Sequence, residues 1–383
     1  MMNSRQRVLT ALRRTGIPDR IPFEISWGAF TPLLMKTYRE KTGSNLPPEE
    51  YFDFDTRFVL PGPSRIRTDF AGYFQELDED VSFDEWGVGS VPTRYEMPDY
   101  KYHPLERMEH ARQIDAYAWP DLGEAYRYDE VPLKVQTYQA RGYAVCGEMY
   151  QTIFEVAWLM RGMQTFLTDF HLEPEIAHTI CERITEIRIC QARHFAQAGV
   201  DIIRLGDDVV TQRGRMMSGE IYREFIQPRV KRIVAAAKAV NPEVMVFMHC
   251  CGRVEDVIDD LIDSGIEVLN PIQPECNDLL RIKEKYGQRL SFWGGIGVQS
   301  VMPHGSPEDV REAVRETAAI LGADGGLLLA PAHILDPSVP WENVEAFIDA
   351  ARRLAPATMP KIPTQKNLKN NSSMGSVLLS KSL

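Results

Sequence analysis

An imidazole and two thiols close the apolar run Val244–Met245–Val246–Phe247–Met248, in the order His249–Cys250–Cys251–Gly252. The run has the β-branched, apolar character of a buried strand, so its polar residues sit at the strand's C-terminal end. Side chains alternate across a strand, which puts His249 and Cys251 on one face and Cys250 on the other. Imidazole plus thiolate on one face is half of a zinc site. The competing reading is a core histidine with two buried thiols, because free cysteine is among the most buried residue types. The rest of the chain weighs between the two.

A ligand pair on one strand needs partners delivered by other elements. From residue 105 onward, helical stretches alternate with short apolar runs, the rhythm of βα units. The runs at 143–147, 201–206, 244–249, 268–271, 290–294 and 326–330, with earlier ones at 20–26 and 55–60, predict eight strands. Helices are expected at 154–168, 174–198, 218–240, 254–264, 278–286, 307–321 and 341–354, after an amphipathic first helix within 1–16 and another at 31–42. This pattern predicts an α/β fold, a (β/α)8 TIM barrel. A doubly wound open sheet is the alternative, weakened because no G-x-G-x-x-G follows the first strand. Residues 64–104, rich in aromatics, Asp, Gly and Pro, are read as an N-terminal β-hairpin excursion within a single domain spanning 1–356. The segment 357–383, whose last part is Asn-, Ser- and Lys-rich, is expected to be a disordered tail.

The 383 residues carry a net charge of −11 and no long basic run, which argues against nucleic acid and against an anionic membrane surface as partners. No apolar run approaches the roughly 18 residues of a membrane-spanning helix. The six cysteines show no framework spacing, so a cytoplasmic protein with free or metal-bound thiols is expected.

In a barrel the chemistry belongs at the C-terminal strand ends. These read Cys146–Gly147–Glu148–Met149–Tyr150–Gln151, Gly206–Asp207–Asp208 with Gln212 following, His249–Cys250–Cys251–Gly252, Asn270–Pro271–Ile272–Gln273, Trp293–Gly294–Gly295–Ile296 and Ala330–Pro331–Ala332–His333. Glu148, His249, Cys251 and His333 could converge on one zinc that keeps an open position. For Glu148 the alternative is a helix-capping loop carboxylate, and for His333 a loop histidine packed on Pro331. Asp207 and Asp208 are adjacent, so only one can face the pocket; the other could cap a helix or pair with Arg213. Glu148, Asp207 and Asp208 are the candidate catalytic carboxylates, hydrogen-bonding substrate or orienting a metal ligand. Gln212 and Gln273 would orient substrate, and Tyr150 and Trp293 would supply apolar wall.

The same strand-end set, together with Tyr222–Arg223–Glu224–Phe225, Pro228, Lys231–Arg232–Ile233, Phe292 and Pro340-x-Glu342–Asn343, resembles the uroporphyrinogen decarboxylase superfamily over most of residues 5–355. The resemblance implies a (β/α)8 barrel and two kinds of chemistry. Decarboxylases of the family work without metal and hold a polycarboxylate tetrapyrrole through a motif of the form M-R-Q-A-G-R after the first strand. Here that place reads Glu24–Ile25–Ser26–Trp27–Gly28–Ala29–Phe30, without either arginine. Buried carboxylates need basic partners, so their loss is a physical objection. Asp55 is a weak counterpart of the pyrrole-binding aspartate; in that alternative Asp55 and Asp207 would relay protons.

The second kind comprises zinc methyltransferases acting on corrinoid proteins, with H-x-C after one strand and a third ligand, usually Cys, near the end of the last. His249-x-Cys251 fits, and His333 stands where the Cys would be. One thiolate fewer makes zinc the stronger Lewis acid, suited to an ether or alcohol oxygen, as in an O-demethylase-like branch. The resemblance therefore implies a zinc-dependent methyltransferase with a corrinoid protein and a small methyl donor or acceptor as partners, and leaves a homodimer open. A catalytically silent binding barrel is the remaining alternative.

Overall fold

The computed structural model describes residues 1–93 and 98–355; the expected tail at 357–383 lies outside the described residues. Seven parallel strands lie side by side in chain order: β1 (Thr56–Val59), β2 (Ala144–Met149), β3 (Ile202–Gly206), β4 (Met245–His249), β5 (Val268–Asn270), β6 (Ser291–Ile296) and β7 (Leu327–Pro331). Parallel neighbours require a crossover, and the intervening helices return the chain each time to the same end of the sheet. All seven C-terminal strand ends therefore share one rim. No helix among the described residues is long and apolar enough to cross a membrane.

The sheet curls, and the segment expected as the first strand runs between its two edges. Glu24 N–H donates to Leu329 O (3.1 Å), Leu329 N–H to Pro22 O (2.8 Å), and Asp55 N–H to Phe23 O (3.3 Å). Only one β-bridge forms there, Phe23 with Leu329. The strand is cut short because Pro22 has no N–H to give and because Ser26 and Trp27 turn the chain through left-handed φ of 52° and 54°. Between 64 and 104 the expected hairpin is instead a three-stranded antiparallel sheet, Ser82–Phe83, Gly89–Pro92 and Pro98–Tyr102. The helix expected at 154–168 is two, Phe154–Arg161 and Met163–Leu172, divided at Gly162, whose φ of 85° interrupts the helical path.

Residue alternation divides the core. Ala144, Cys146, Ile202, Met245, Phe247, Val268, Trp293, Leu328 and Ala330 point inside the curl, where Val8 and Leu12 join them. Their chain neighbours Val145, Ile203, Val246, Leu269, Phe292 and Leu329 pack outward against the helices. The helix Ser4–Leu12 covers the N-terminal ends of the strands: Gly326 N–H donates to Ala11 O (2.8 Å) and Ser291 Oγ to Leu12 O (2.6 Å). Leu12→Ala should cost about 2–4 kcal/mol, because it strips buried methyl groups from that floor and leaves a cavity. A urea midpoint lowered at unchanged slope would register it.

Asp55 belongs to this end of the sheet and not to a substrate site. It is fully buried, and its carboxylate accepts from Arg7 (2.8 Å), twice from Arg20 (2.7 and 2.9 Å) and from Phe23 N–H (2.9 Å). With both oxygens engaged it fastens the first helix and the 20–24 segment to β1. That is a structural clamp and corrects its expected contact with substrate.

Candidate metal centre

His249 ends β4, Cys251 follows it, and His333 follows β7 across the rim. Their ligating atoms all lie within 4.8 Å of one another, and they form the cluster of potential metal ligands among the described residues. His249 Nε2 is 3.1 Å from Cys251 Sγ. Cys250 turns the other way into the outer core and is fully buried. Cys251 is held by its backbone, whose N–H donates to Asp208 Oδ1 (2.6 Å).

The ring orientation of His249 is set from the neighbouring strand. Asn270 pairs with His249 in the register of β4 and β5. Its Nδ2 donates to Trp293 O (2.7 Å), which fixes the carboxamide so that Oδ1 faces His249 Nδ1 and accepts its proton. The other nitrogen, Nε2, is then left with its lone pair toward Cys251. Burial pushes the His249 and His333 imidazoles below their ordinary pKa and the Cys251 thiol well above its own. Two neutral imidazoles suit a metal directly, and a bound zinc would take the thiol as thiolate. Tetrahedral zinc holds nitrogen and sulfur donors about 3.3–3.8 Å apart, so the cluster needs only small side-chain adjustments to serve as three ligands around one open position. Asn270→Ala should weaken zinc binding about 10- to 100-fold, measured by competition with a chromogenic chelator. Asn270→Asp, which keeps the acceptor, should recover most of it.

Glu148 stands outside this cluster. It is buried beneath it on β2, with Oε2 3.2 Å from Arg204 Nη1. Arg204 is fully enclosed and lies 4.4 Å from the Phe247 ring centroid and 5.1 Å from that of Trp293. Burial pushes the Glu148 carboxyl up to about 7 against the pull of Arg204, with the charge of Glu24 adding to the rise. The fit of the pair is incomplete, since Glu148 Oε2 and Arg204 Nε and Nη1 lack hydrogen-bond partners. The expected fourth metal ligand is thus part of a buried ion pair under the site.

The other expected residues separate into those that face open space and those that support. Asp207 is buried, and its carboxylate accepts the N–H groups of Ile153 (2.9 Å) and Glu155 (3.0 Å), so it caps the helix Phe154–Arg161. Asp208 faces outward and reaches to 3.9 Å from His249 Nε2. Trp293, expected as a substrate wall, is fully buried below the ligands, where its Nε1 donates to Glu24 Oε1 (2.8 Å). Tyr150 is half-exposed and lines a cavity, as do Gln212 and Gln273 on the other side. Gln212 Nε2 donates to Gln299 (2.6 Å), whereas the buried Gln273 Nε2 has no partner.

Two cavities flank the cluster and share Asp208 and His333. One, of about 380 Å3, contains Cys251, Gln212 and Gln273; the other, of about 390 Å3, contains His249, Glu148 and Tyr150. The second also includes Trp27, Tyr100 and Glu155, none of which lies at the strand ends from Cys146 onward. Trp27 sits 5.1 Å from His249 and 5.3 Å from His333 by ring centroids. Its loop is pinned by Ser26 Oγ donating to Pro331 O (2.6 Å) and Gly28 N–H to Glu24 Oε2 (3.0 Å). Such left-handed backbone at a non-glycine residue persists only where its surroundings enforce it. Trp27 directly follows the expected strand at 20–26, at the C-terminal end where His249 and His333 stand on theirs, so its place in the sequence is its signal. Tyr100 comes from the antiparallel excursion, and no local sequence signal points to it.

The family described as uroporphyrinogen decarboxylase (URO-D) matches residues 134–354. The chain is 27% identical over 167 residues to the methylcobamide:CoM methyltransferase MtaA of Methanosarcina barkeri, a stretch covering 43% of this chain and 45% of that one. It is 26% identical over 200 residues to a methylated-thiol–coenzyme M methyltransferase of Methanosarcina mazei, covering 52% and 50%. A uroporphyrinogen decarboxylase of Coxiella burnetii is 21% identical over 253 residues, covering 64% and 68%. The chain thus spans about half the length of the methyltransferases it matches. Among solved structures, a methyltransferase from Methanosarcina mazei has the same fold, with a TM-score of 0.64 at 18% identity, over 92% of this chain and 99% of that one.

Proposed function

Because this chain belongs to the uroporphyrinogen decarboxylase family, we propose that it is a zinc-dependent methyltransferase that moves a methyl group between a small molecule and a corrinoid protein. The observation that carries the reading is the His249–Cys251–His333 cluster, set by Asn270 and open to cavities on two sides. Two reactants that must meet at one atom need two approaches, and the cluster has them. When bound, zinc would supply a Lewis acid and a template.

The chain's own residues divide the work. Asn270 holds the His249 tautomer, and Asp208 holds the Cys251 backbone. The cavity on the Gln273 side offers amide groups from Gln212, Gln273 and Gln299, and we assign it to the corrinoid, whose ring edge carries amide side chains. The cavity on the Trp27 side is assigned to the small molecule. The curled sheet with its 22–24 segment is read as the (β/α)8 barrel of a single domain over 1–356, working in the cytoplasm; a homodimer is compatible with it.

The decarboxylase alternative is disfavoured on charge. Asp55 is consumed by Arg7 and Arg20, and among the described residues neither cavity has a lysine or arginine in its lining to meet a polycarboxylate. The test is metal analysis of the purified protein with a methylcobalamin demethylation assay across thiol and methoxylated substrates. About one zinc per chain is expected, as for a site with three protein ligands, with cobalt-centred absorbance changes that require it. A metal-free active protein would overturn the proposal. Zinc without demethylation would favour the silent binding barrel, and metal-independent turnover of uroporphyrinogen would establish the decarboxylase.

A further inference from the structure

Three carboxyl groups meet beyond the end of β3, beside the cavity on the Trp27 side, and their surroundings differ. Asp207 accepts two backbone N–H groups, from Ile153 (2.9 Å) and Glu155 (3.0 Å). Asp208 has its side chain 37% exposed, and its Oδ1 accepts the N–H of Cys251 (2.6 Å). Glu155, at the start of the helix Phe154–Arg161, has a single such bond, from the N–H of Asp208 to Oε2 (3.1 Å). N–H donors and access to water favour a charged carboxylate, whereas burial beside like charge favours the neutral acid. Glu155 is therefore the member of the trio that keeps its proton. Burial pushes its carboxyl well above the ordinary range, and the charges of Asp208 and Asp207 add to the rise.

The neighbours of Glu155 do not offset this. Arg188, from the helix Pro174–Ala198, stands behind Asp207 and is spent on Thr152 O (3.2 Å), Tyr150 O (2.6 Å) and Gln191 Oε1 (2.6 Å). The phenol of Tyr100 and the thiols of Cys250 and Cys251 also face Glu155, each pushed up by burial. A carboxylic acid accepts best through its carbonyl oxygen, so with Oε2 taken by Asp208 the proton sits on Oε1. Oε1 has no hydrogen-bond partner among the described residues and is accessible. Glu155 lines the cavity with Glu148, His249 and His333, and the half-exposed Tyr150 opens the same wall to water.

We propose that Glu155 is the general acid of this site, handing the Oε1 proton to the oxygen from which the methyl group departs, so that the small molecule is a methyl ether of an alcohol or phenol. The proposal rests on the methyltransferase reading; it adds a catalytic residue and names the donor's class. The methyl–oxygen bond breaks as the methyl carbon bonds to the reduced cobalt of the corrinoid, which gives up two electrons. The oxygen keeps the electron pair of the broken bond and takes the Glu155 proton. The carboxylate regains a proton from water at the open wall. An alkoxide or phenolate leaves poorly without a proton, whereas a thiolate, the anion of a stronger acid, leaves without one.

The test is methyl transfer to cob(I)alamin by the full-length, zinc-loaded protein from para-substituted anisoles. Trp27, Tyr100 and Tyr150 wall the cavity, so aryl ethers are the natural probes. The series runs from 4-nitroanisole, whose phenolate leaves readily, to 4-methylanisole, whose phenolate does not; thioanisole is the control that needs no proton. Glu155→Gln keeps an acceptor for the Asp208 N–H and removes the acid. It should slow 4-methylanisole at least about 100-fold, the low end for a general acid, and slow 4-nitroanisole and thioanisole far less. Lost folding would lower every donor alike. If the variant does not fold, the wild type decides: its rate with 4-methylanisole should fall as pH rises through the Glu155 titration, while its rate with thioanisole holds. A readout without turnover is the infrared difference between wild type and Glu155→Gln at neutral pH. It should carry the C=O stretch of a neutral carboxylic acid and lose it at high pH. Equal losses with every donor, equal pH profiles or an absent band overturns the proposal and leaves the methyltransferase reading standing. No transfer from any donor by the wild type overturns that reading, and the general acid with it.

Discussion

Cys251→Ser should purify with less than about a tenth of the wild-type zinc, while Cys250→Ala keeps it. The two thiols are adjacent in the chain and opposite in space. Cys251 Sγ lies 3.1 Å from His249 Nε2 at the rim, and Cys250 is fully buried in the outer core. A serine hydroxyl at 251 is a poor zinc ligand because it does not ionise in the range where a metal-bound thiol does. Losing one of three protein ligands leaves a two-ligand site, which seldom retains zinc through purification. Cys250→Ala removes one buried sulfur and should cost about 1 kcal/mol of stability through the small cavity it leaves. Zinc per chain by elemental analysis and the melting temperature of both variants separate the roles. Equal zinc in both would place the metal elsewhere.

Asp55→Asn should destabilise the fold by about 3 kcal/mol, near the low end for breaking a buried ion pair. The side chain is fully buried and accepts four hydrogen bonds, three of them from Arg7 and Arg20. Asparagine keeps one acceptor but turns an NH2 group toward guanidinium groups that cannot accept. The loss stops short of the upper range because Arg7 retains Asp19 (2.8 Å) and Arg20 retains Ile21 O (3.0 Å). Urea unfolding checks the figure. The same variant bears on mechanism: as a clamp at the N-terminal end of the strands, Asp55 should affect activity only as far as the folded fraction falls. Lost turnover in a fully folded Asp55→Asn protein would restore its role as a proton relay.

Much of the site was legible because strand ends have their own grammar. Alternation by two assigned Cys251 and not Cys250 to the face of His249, and parallel βα units put His333 on the same rim. Where the reading failed, the missing quantity was distance across the fold. Glu148 occupies a strand end like the others, yet it points into the curl, where Arg204 on the adjacent strand pairs with it. Trp293 looks like a wall residue by type and lies one layer too deep, bonded to Glu24. Asp55 carries the charge of a catalytic group, and nothing local reveals that two arginines already surround it.

By itself, the sequence determined the alternation of strands and helices, the polar rim at the strand ends and the His-x-Cys pair, because these depend on periodicities of two and 3.6 residues that a chain carries locally. Only the tertiary structure decided that Asn270 orients His249, that Glu148 is spent on Arg204, and that Trp27 and Tyr100 close a cavity beside the ligands. Those are contacts between segments as far apart as residues 27 and 333. Their partners are chosen by packing in three dimensions, and no short stretch of chain records them.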